Sequence, residues 1–289
     1  MNWVNAIIQG TLLGGQYALF ACGLSLLFGT MRVINLSHGD MAVVAAYVAL
    51  GVIAVTSLPA ILAWVVVVPV FALVGYVIQR TLLQASLQRG LFTTLLVTFG
   101  LSVVIQNLLQ QTLSADSHKL LTGSLGTSAF QLSDELYVPY LPLLILVVAV
   151  AVLFSVQYFL SRSGTGRLIR AVALDREAAQ LSGANDRHIF GIAAAIAFAT
   201  LALAGMAFGM SSSFAPTAGA SRLLFSFEAV VIGGIGSIWG TLLGGIVLGI
   251  SQIVGAQIDS GYSILAGHLV FLLVLAIRPD GLIRTGARA

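Results

Sequence analysis

The sequence predicts an all-α polytopic membrane protein, and three observations lead to that class. Hydrophobic residues make up 58% of the 289 residues and charged residues only 8%, against about 25% charged in soluble domains. Apolar runs of roughly 20 residues recur along the chain, and each is long enough to cross a hydrocarbon layer of about 30 Å as a helix. These runs lack the polar and apolar alternation of barrel strands. We therefore expect one transmembrane domain over residues 1–289, with about seven to eight spanning helices and a re-entrant broken helix.

The apolar runs predict the spanning segments in order along the chain. They cover residues 5–28, 40–56, 60–78, 93–113, 137–160, 189–210 and 262–277. The first is a span rather than a signal peptide, because no charged side chain precedes Arg32. The polar residues from Gln106 to Gln111 are expected to mark the exterior end of the fourth span, with a water-lined surface as the alternative.

The polar segment 161–188, SRSGTGRLIRAVALDREAAQLSGANDRH, orients these spans. It holds five of the thirteen basic residues, and short loops rich in Lys and Arg stay on the cytoplasmic side of a membrane. Its placement in the cytoplasm puts the N-terminus and the loop 118–135 outside. The net charge of +3 is then explained by basic residues in the short loops between spans, so we expect no nucleic-acid partner. The centre of the segment, residues 166–183, predicts either a short helix along the cytoplasmic face or a solvated connecting loop.

The glycine-rich segment 225–257 is expected to enter the membrane and return to the same side. A single crossing would leave the three arginines beyond residue 277 outside, against the charge bias. Its 33 residues are too few for two full helices, so we expect a pair of half-helices that meet inside the membrane. Only Lys119 and Arg222 among the basic residues then lie outside. An ordinary glycine-rich helix with an exterior tail is the alternative.

Glycines decide where this segment breaks and how it packs. Consecutive glycines weaken a helix and free backbone groups, which predicts a break within residues 233–237. Gly236, Gly240 and Gly244 recur at intervals of four, so they are expected to share one helix face against which another backbone packs closely. The break residues that we expect to border a translocation path are Gly233, Gly234, Gly236 and Ser237.

A second polar interruption lies in the first half of the chain, in FGTMRVINLSHGD at residues 28–40. Polar residues at membrane depth usually face a cavity or a partner, and interrupted segments in both halves are typical of a transport site between repeats. The alternative is an ordinary cytoplasmic turn in which Asn35 or Ser37 caps the next helix. The residues of this interruption that we add to the candidate path are Asn35, Ser37, His38, Gly39 and Asp40.

The sequence carries no motif for catalysis, metal binding or nucleotide binding. The four histidines lack metal-ligand spacing, and no Walker A loop is present. Ser37 and His38 are adjacent but have no third group to orient the base, which makes an intramembrane hydrolase the weakest hypothesis. His268 lies on an apolar span and is expected to be a hydrogen-bonded core residue. We therefore predict no catalytic residue, no metal and no cofactor in this chain.

The acidic residues bear on the source of energy. Ion-driven carriers usually have ionisable residues deep in their spans. Here Asp40, Glu228 and Asp259 all lie near the ends of predicted segments. We therefore expect the energy for transport to come from another protein, and the polar segment 161–188 is where that protein would act.

Three motifs carry a resemblance to a known family. REAAQLSG at residues 176–183 resembles the EAA signature of ABC importer permeases, a cytoplasmic helix that docks on the ATPase subunit, although the later Leu-Pro is absent. INLSHGD at 34–40 and AVVIGGIGSIWGTLLGG at 229–245 resemble segments of the LivH-type branched-chain amino acid permeases. RAVALDREAAQLSGAN at 170–185 is similar to the cytoplasmic loop of the same family. Ser37 stands where an alanine is common in that family.

The resemblance implies a multi-pass permease of the bacterial inner membrane. Such a subunit pairs with a second homologous permease, two cytoplasmic ATPase subunits that bind the ATP, and an extracytoplasmic substrate-binding protein. The implied cargo is a branched-chain or related hydrophobic amino acid, with urea, amides or aromatic acids as alternatives, and a stand-alone secondary transporter or channel is the rival class. The residues implied in ATPase coupling are Arg170, Asp175, Arg176, Glu177, Ala178, Ala179 and Gly183.

Overall fold

The computed structural model describes residues 3–133 and 136–283, and these residues form a helical bundle. Seven of the described helical segments are long and apolar enough to cross a membrane, and one further apolar helix of 16 residues follows them, which confirms the predicted class. The long helices are α1 (Trp3–Met31), α2 (His38–Thr56), α3 (Trp64–Ile78), α5 (Leu91–Leu113), α6 (Tyr140–Arg162), α9 (Asp186–Ser211), α10 (Gly219–Gly233), α11 (Ile238–Ile258) and α12 (Tyr262–Ile277).

Short elements connect the long helices. A π-helical turn (Gln79–Leu83) and α4 (Gln84–Leu87) extend α3, and the polar segment forms α7 (Gly164–Leu174) and α8 (Arg176–Leu181). Between α5 and α6, a 3₁₀ turn (Gly123–Gly126) precedes the antiparallel strands β1 (Ala129–Ser133) and β2 (Leu136–Pro139), in which Phe130 pairs with Val138. A second 3₁₀ turn (Pro216–Ala218) leads into α10.

Helices α1 and α9 form the centre of the bundle. In their most apolar stretches, 83% of α1 and 72% of α9 are buried, against 17% for α5. The two central helices are antiparallel, because Ser211 Oγ donates to Gln16 Oε1 at 3.3 Å while Gly23 lies beside the Ala197 carbonyl. The 29 residues of α1 make it about 43 Å long, which exceeds the thickness of the hydrocarbon layer.

Glycines allow α11 to pack directly on the backbone of α1. A Cβ added to Gly245 would lie 2.6 Å from the Gly14 carbonyl oxygen, and one added to Gly249 would lie 2.7 Å from the Gly14 amide nitrogen. Both distances are shorter than carbon atoms tolerate, so neither position accepts a side chain without separating the helices. The same close approach of backbones through small residues is typical of helices packed inside membranes.

The predicted glycine face is confirmed at two of its three positions. Gly240 and Gly244 pack against Gly233 and the Ala229 carbonyl of α10. Gly236 does not belong to a helix: it lies in the break before α11 and has a φ of +81°, a conformation that glycine adopts without a steric penalty. Residues at intervals of four share a face only within one continuous helix, and the helix does not extend through residue 236.

Helices α2 and α10 both begin inside the bundle. His38 Nε2 lies 3.1 Å from the carbonyl oxygen of Phe20, which is about 16 Å along α1 from its end at Met31. Gly219, the first residue of α10, packs against Asp40 in the first turn of α2. The two helix starts therefore meet at one depth.

From this meeting point the two helices run in opposite directions. We call the end of the bundle that carries Arg32, Arg170 and Asp280 the basic end, and the end that carries Lys119 the far end. Helix α10 runs to the basic end, where Gly234 meets Ile283. Helix α2 runs to the far end, where Ala46 approaches Gly209 near Leu120.

The prediction that residues 225–257 enter the membrane and return to the same side as two half-helices is wrong, because α11 crosses the bundle as a full span and the break before it lies at the basic end. The break lies where the glycines placed it, but α11 has 21 residues and is a full span. The half-helix is α10, which begins six residues before Phe225, and the extended residues 212–215 together with the 3₁₀ turn Pro216–Ala218 complete its crossing. Phe214 exchanges backbone hydrogen bonds with His118 of the external loop, at 2.8 and 2.9 Å. Hydropathy does not detect a crossing that is partly outside an α-helix, but the described part of the C-terminal tail still reaches the basic end, as the charges predicted.

Replacing Gly249 with alanine tests the backbone contact between α1 and α11. We expect Gly249→Ala to lower the free energy of unfolding by about 1–3 kcal/mol, because its Cβ forces two packed backbones apart. The matched control is Gly100→Ala on α5, where an added Cβ meets no atom within 4 Å and alanine is the better helix former. Denaturant unfolding in detergent measures both variants, and equal stability of the two would contradict the contact.

Candidate transport and coupling sites

The polar segment 161–188 contains the residues predicted for coupling, and we call it the coupling segment. It folds as two helices rather than as one. Ser163 caps α7, its Oγ accepting a hydrogen bond from the Gly166 amide at 2.8 Å. Asp175 caps α8, its Oδ1 accepting from the Ala178 amide at 3.0 Å. Asp175 has an extended backbone, so the helix predicted over residues 166–183 is interrupted at this residue. The aspartate is a strong N-cap because its side chain satisfies an amide that the helix itself leaves unpaired.

The two short helices are fixed to the membrane bundle. Helix α7 buries Gly166, Ile169 and Val172, and α8 buries Ala179. Arg176 Nε donates to Asp186 Oδ2 at 2.8 Å, and the guanidinium lies 5.4 Å from the centre of the Phe190 ring. These contacts join α8 to the first turns of α9. Of the seven residues predicted for coupling, Arg176 and Ala179 therefore serve this internal joint.

The remaining coupling residues lie on an exposed surface. Leu174 is 70% exposed and Leu181 is 91% exposed, and the side chains of Glu177 and Ala178 are exposed with them. We call these four residues the coupling surface. Arg170 is also exposed, but it lines a cavity beside this surface. Two largely exposed leucines beside a carboxylate are typical of a surface that binds another protein.

Gly183 ends α8 in the left-handed conformation, with a φ of +86°. The Ala184 amide donates to the Ala179 carbonyl at 3.0 Å, and the Gly183 amide donates to the Gln180 carbonyl at 2.9 Å, which satisfies the last carbonyls of the helix. A Cβ at Gly183 would meet no atom within 4 Å. The position is therefore restricted by backbone conformation and not by packing.

The first group of path residues is buried. Asn35, Ser37, His38 and Asp40 are each at most 1% exposed, which excludes the alternative of a cytoplasmic turn. Asn35 Oδ1 accepts hydrogen bonds from the Ser37 amide at 3.0 Å and from Ser37 Oγ at 2.7 Å. The two side chains bind each other, so neither caps α2 as that alternative supposed.

Ser37 and His38 are not arranged as a nucleophile and its base. The Ser37 hydroxyl donates to Asn35, while His38 Nε2 faces the Phe20 carbonyl oxygen. No group of three His, Cys, Asp or Glu side chains converges among the residues that the structure describes. These contacts give a hydrolase site no support at this position.

Asp40 is bound by a helix that the sequence did not connect with it. Ser102 Oγ donates to Asp40 Oδ2 at 2.6 Å, and Gln106 Nε2 donates to Asp40 Oδ1 at 2.9 Å. Both donors come from one face of α5, which is otherwise mostly exposed. The expectation that Gln106 marks an exterior boundary is wrong, because its side chain satisfies a buried carboxylate. Polar residues four positions apart on an apolar helix were the available signal.

The two predicted groups of path residues are not brought together. Gly39 packs against Gly219 at the start of α10, whereas Gly233, Gly234 and Gly236 lie at or beyond its end. The 15 residues of α10 separate the groups by about 22 Å. The sequence analysis did not single out Gly219. It becomes recognisable only when the backbone places it against Asp40.

The second group of predicted path residues, which begins at Gly233, lies where α10 ends. The Leu282 amide donates to the Ile232 carbonyl at 2.8 Å, and the Ile283 amide donates to the Gly233 carbonyl at 3.0 Å. Residues beyond α12 therefore satisfy carbonyls that the half-helix leaves unpaired. Ser237 then starts α11, its Oγ accepting from the Gly240 amide at 3.0 Å. This end of α10 is a packed joint.

Comparison with known proteins agrees with this architecture. The family model described as the branched-chain amino acid transport system permease component matches residues 6–277. The chain belongs to this family. It is therefore a multi-pass membrane permease of the ABC transporter class, as its three sequence motifs indicated.

Curated permeases match nearly the whole chain. The high-affinity branched-chain amino acid permease BraD of Pseudomonas aeruginosa is 30% identical, over 98% of this chain and 96% of its own length. LivH of Escherichia coli K12 is 27% identical over the same shares of both chains. The ribose import permease RbsC of Haemophilus influenzae is 28% identical over 84% of this chain and 75% of its own. No solved structure matches the chain.

The permease holds ionisable residues deep in its core, which the sequence analysis did not expect. His268 Nδ1 of α12 contacts Glu228 Oε1 of α10, and the Glu228 side chain is 2% exposed. His268 is hydrogen-bonded as predicted. Glu228 lies within the packed helix α10, whereas the sequence analysis placed it near the end of a predicted segment. Arg222 is not outside either: it is half-buried, 4.1 Å from the centre of the Phe208 ring. The argument from missing deep charges is therefore wrong for this permease.

A double-mutant cycle tests whether the contact between Glu228 and His268 holds α10 against α12. We expect His268→Leu to lower the free energy of unfolding by about 3 kcal/mol, because it leaves a buried carboxylate without a partner. The double variant with Glu228→Leu should recover much of that loss, because neither group then remains unpaired. Denaturant unfolding measures the three variants, and strictly additive losses would show that the two side chains do not stabilise each other.

Proposed function

We propose that this chain is the permease subunit of an ABC importer of the bacterial inner membrane, which moves branched-chain or related hydrophobic amino acids into the cytoplasm. Two ATPase subunits bind and hydrolyse the ATP, and the permease itself carries no cofactor. A second homologous permease completes the pathway, and an extracytoplasmic binding protein delivers the cargo. The single observation that carries the proposal is the exposed coupling surface on two helices that are fixed to the bundle.

The position of α7 and α8 supports mechanical coupling. Only Ser163 separates α6 from α7, and only residues 182–185 separate α8 from α9. A force on the coupling surface therefore reaches both spans directly. The ion pair between Arg176 and Asp186 carries it from α8 into α9, the helix at the centre of the bundle.

The connection continues from α9 to the starts of α2 and α10, which pack against each other. The extended residues 212–215 and the 3₁₀ turn Pro216–Ala218 follow α9 and lead to Gly219, which packs against Asp40. A shift of α9 thus changes how the starts of α2 and α10 meet. We propose that opening and closing of this junction gives the cargo access to a path between the two permeases, while the joint at Gly233 and Gly234 acts as a pivot.

The cargo is proposed from the names of the relatives. BraD and LivH are described as branched-chain amino acid permeases, and both match nearly full-length. The fructose import permease FrcC of Rhizobium meliloti is 35% identical over 45% of this chain, so sugars join urea, amides and aromatic acids as alternatives. Uptake of labelled leucine, ribose and urea by vesicles that contain the whole transporter separates these alternatives.

A stand-alone secondary transporter is the second candidate, and the buried contact between Glu228 and His268 favours it. Ionisable residues within spans are common in ion-driven carriers. Two measurements decide between the candidates: whether ATPase subunits co-purify with the permease under native extraction, and whether liposomes with the chain alone take up solute under an ion gradient. Uptake by the chain alone would show that transport does not need ATP hydrolysis by partner subunits, and it would overturn the proposal.

Charge reversal at Glu177 tests the coupling surface. We expect Glu177→Lys to reduce ATP-driven uptake by about tenfold or more, because reversing a charge at a docked surface costs at least about 1.4 kcal/mol. The permease should remain assembled, since the side chain is exposed. Asp116→Lys on the exposed external loop is the matched control and should keep normal uptake. Normal uptake by Glu177→Lys would contradict coupling through this surface.

Gly183 offers a second test at the same surface. Gly183→Arg should uncouple ATP hydrolysis from uptake, because it adds bulk and charge where α8 ends. Gly183→Asn is its control, since asparagine tolerates the left-handed backbone and leaves the surface nearly unchanged. ATPase activity and uptake are measured together in reconstituted transporter. Loss of uptake in both variants would indicate a backbone effect alone.

A further inference from the structure

A cavity of about 1030 Å³ lies at the basic end of the bundle. It is half open and is bordered by the ends of α1 and α6, by α7, by the break before α11, and by the residues after α12. Apolar side chains form most of its wall, and the residues that the argument uses are Leu26, Leu160, Ile169, Ile235, Ile238 and Trp239. The rim carries two guanidinium groups, those of Arg32 and Arg170, and one carboxylate, that of Asp280.

The size and lining of the cavity indicate a ligand larger than the cargo. Pockets for drug-sized molecules span about 300–1,000 Å³, so a single amino acid would leave most of this volume empty. The cavity therefore fits an amphiphile, with a long apolar part against the wall and an anionic part at the rim.

The two arginines are available for such an anion. The Arg32 side chain makes no hydrogen bond or ion pair with the described residues, and Arg170 makes one long hydrogen bond, 3.4 Å to the Ser161 carbonyl. Both side chains are exposed. A guanidinium presents several donors in a planar fork that matches phosphate oxygens.

The backbone of Arg32 ends α1. Its φ is +55°, and its amide donates to the Phe28 carbonyl at 2.8 Å, which is the usual left-handed end of a helix. The end of α1 therefore holds Arg32 at the cavity.

The position of the cavity matches the headgroup level of one leaflet. Helix α1 ends at Met31, α6 ends at Arg162 and α11 begins at Ile238, so the spans begin or end around it. Trp239 lines the cavity and is 38% exposed, and tryptophan is enriched at the boundary between lipid and water.

We propose that this cavity binds one anionic phospholipid of the cytoplasmic leaflet, with the phosphate at Arg32 and Arg170 and an acyl chain along the apolar wall. The bound lipid contacts α7 through Ile169 and the break before α11 through Ile235. It therefore connects the coupling segment with the joint at the end of α10. This lipid site does not depend on the identity of the cargo.

Lipid binding to the delipidated transporter, purified with its partner subunits, tests the proposal. Phosphatidylglycerol is titrated while native mass spectrometry counts bound lipids and a thermal shift reports stability, with phosphatidylcholine as the neutral comparison. We expect one tightly retained phosphatidylglycerol and a higher melting temperature than with phosphatidylcholine. Arg32→Gln and Arg170→Gln should each weaken retention by about tenfold, since each removes a charge-assisted contact to phosphate.

Two variants separate the phosphate contact from other effects. Arg89→Gln removes a further exposed arginine that does not line the cavity, and it should retain the lipid like the unchanged protein. Ala173→Trp fills the cavity without changing its charge and should displace the acyl chain. Equal retention by all variants, equal binding of phosphatidylcholine, an equal thermal shift with inorganic phosphate, or displacement of the lipid by leucine would each overturn the proposal.

Discussion

The constraint behind this fold is that backbone groups left unpaired by a helix cannot face lipid and must be enclosed by protein. In the part of the chain that the structure describes, three interruptions between helices are covered by protein. Residues 32–37 return along α1, where His38 reaches the Phe20 carbonyl. Phe214, in the extended residues 212–215, pairs with His118 of the external loop, and the end of α10 is capped by Leu282 and Ile283.

This enclosure requires small residues in the centre. Gly14, Gly245 and Gly249 bring α11 onto the backbone of α1, while Gly39 and Gly219 bring the starts of α2 and α10 together. The result is a junction of two helix starts, approached from opposite ends of the bundle. A helix that begins inside a bundle moves with its neighbours and not with the lipid. We propose that this property makes the junction a suitable gate.

The coupling segment and the core are parts of one mechanical path in the proposed mechanism. Asp175 divides the segment into two capped helices, and Arg176 joins the second of them to α9. What remains exposed, around Leu174, Glu177 and Leu181, is available for a partner protein. The lipid cavity lies between this segment and the joint at Gly234, so an occupant there would stiffen the connection between them.

The sequence alone determined the helical membrane class, the approximate spans, the break near Gly233 and the family, because apolar length, charge bias and motifs are local properties. The tertiary structure decided which polar residues meet. Asp40 is 62 and 66 positions from Ser102 and Gln106, and Glu228 is 40 positions from His268. The start of α10 was also a tertiary result, since residues 212–218 cross outside an α-helix, which hydropathy does not detect. Contacts across such separations depend on how the helices pack, and the periodicity of the sequence does not predict which helices pack together.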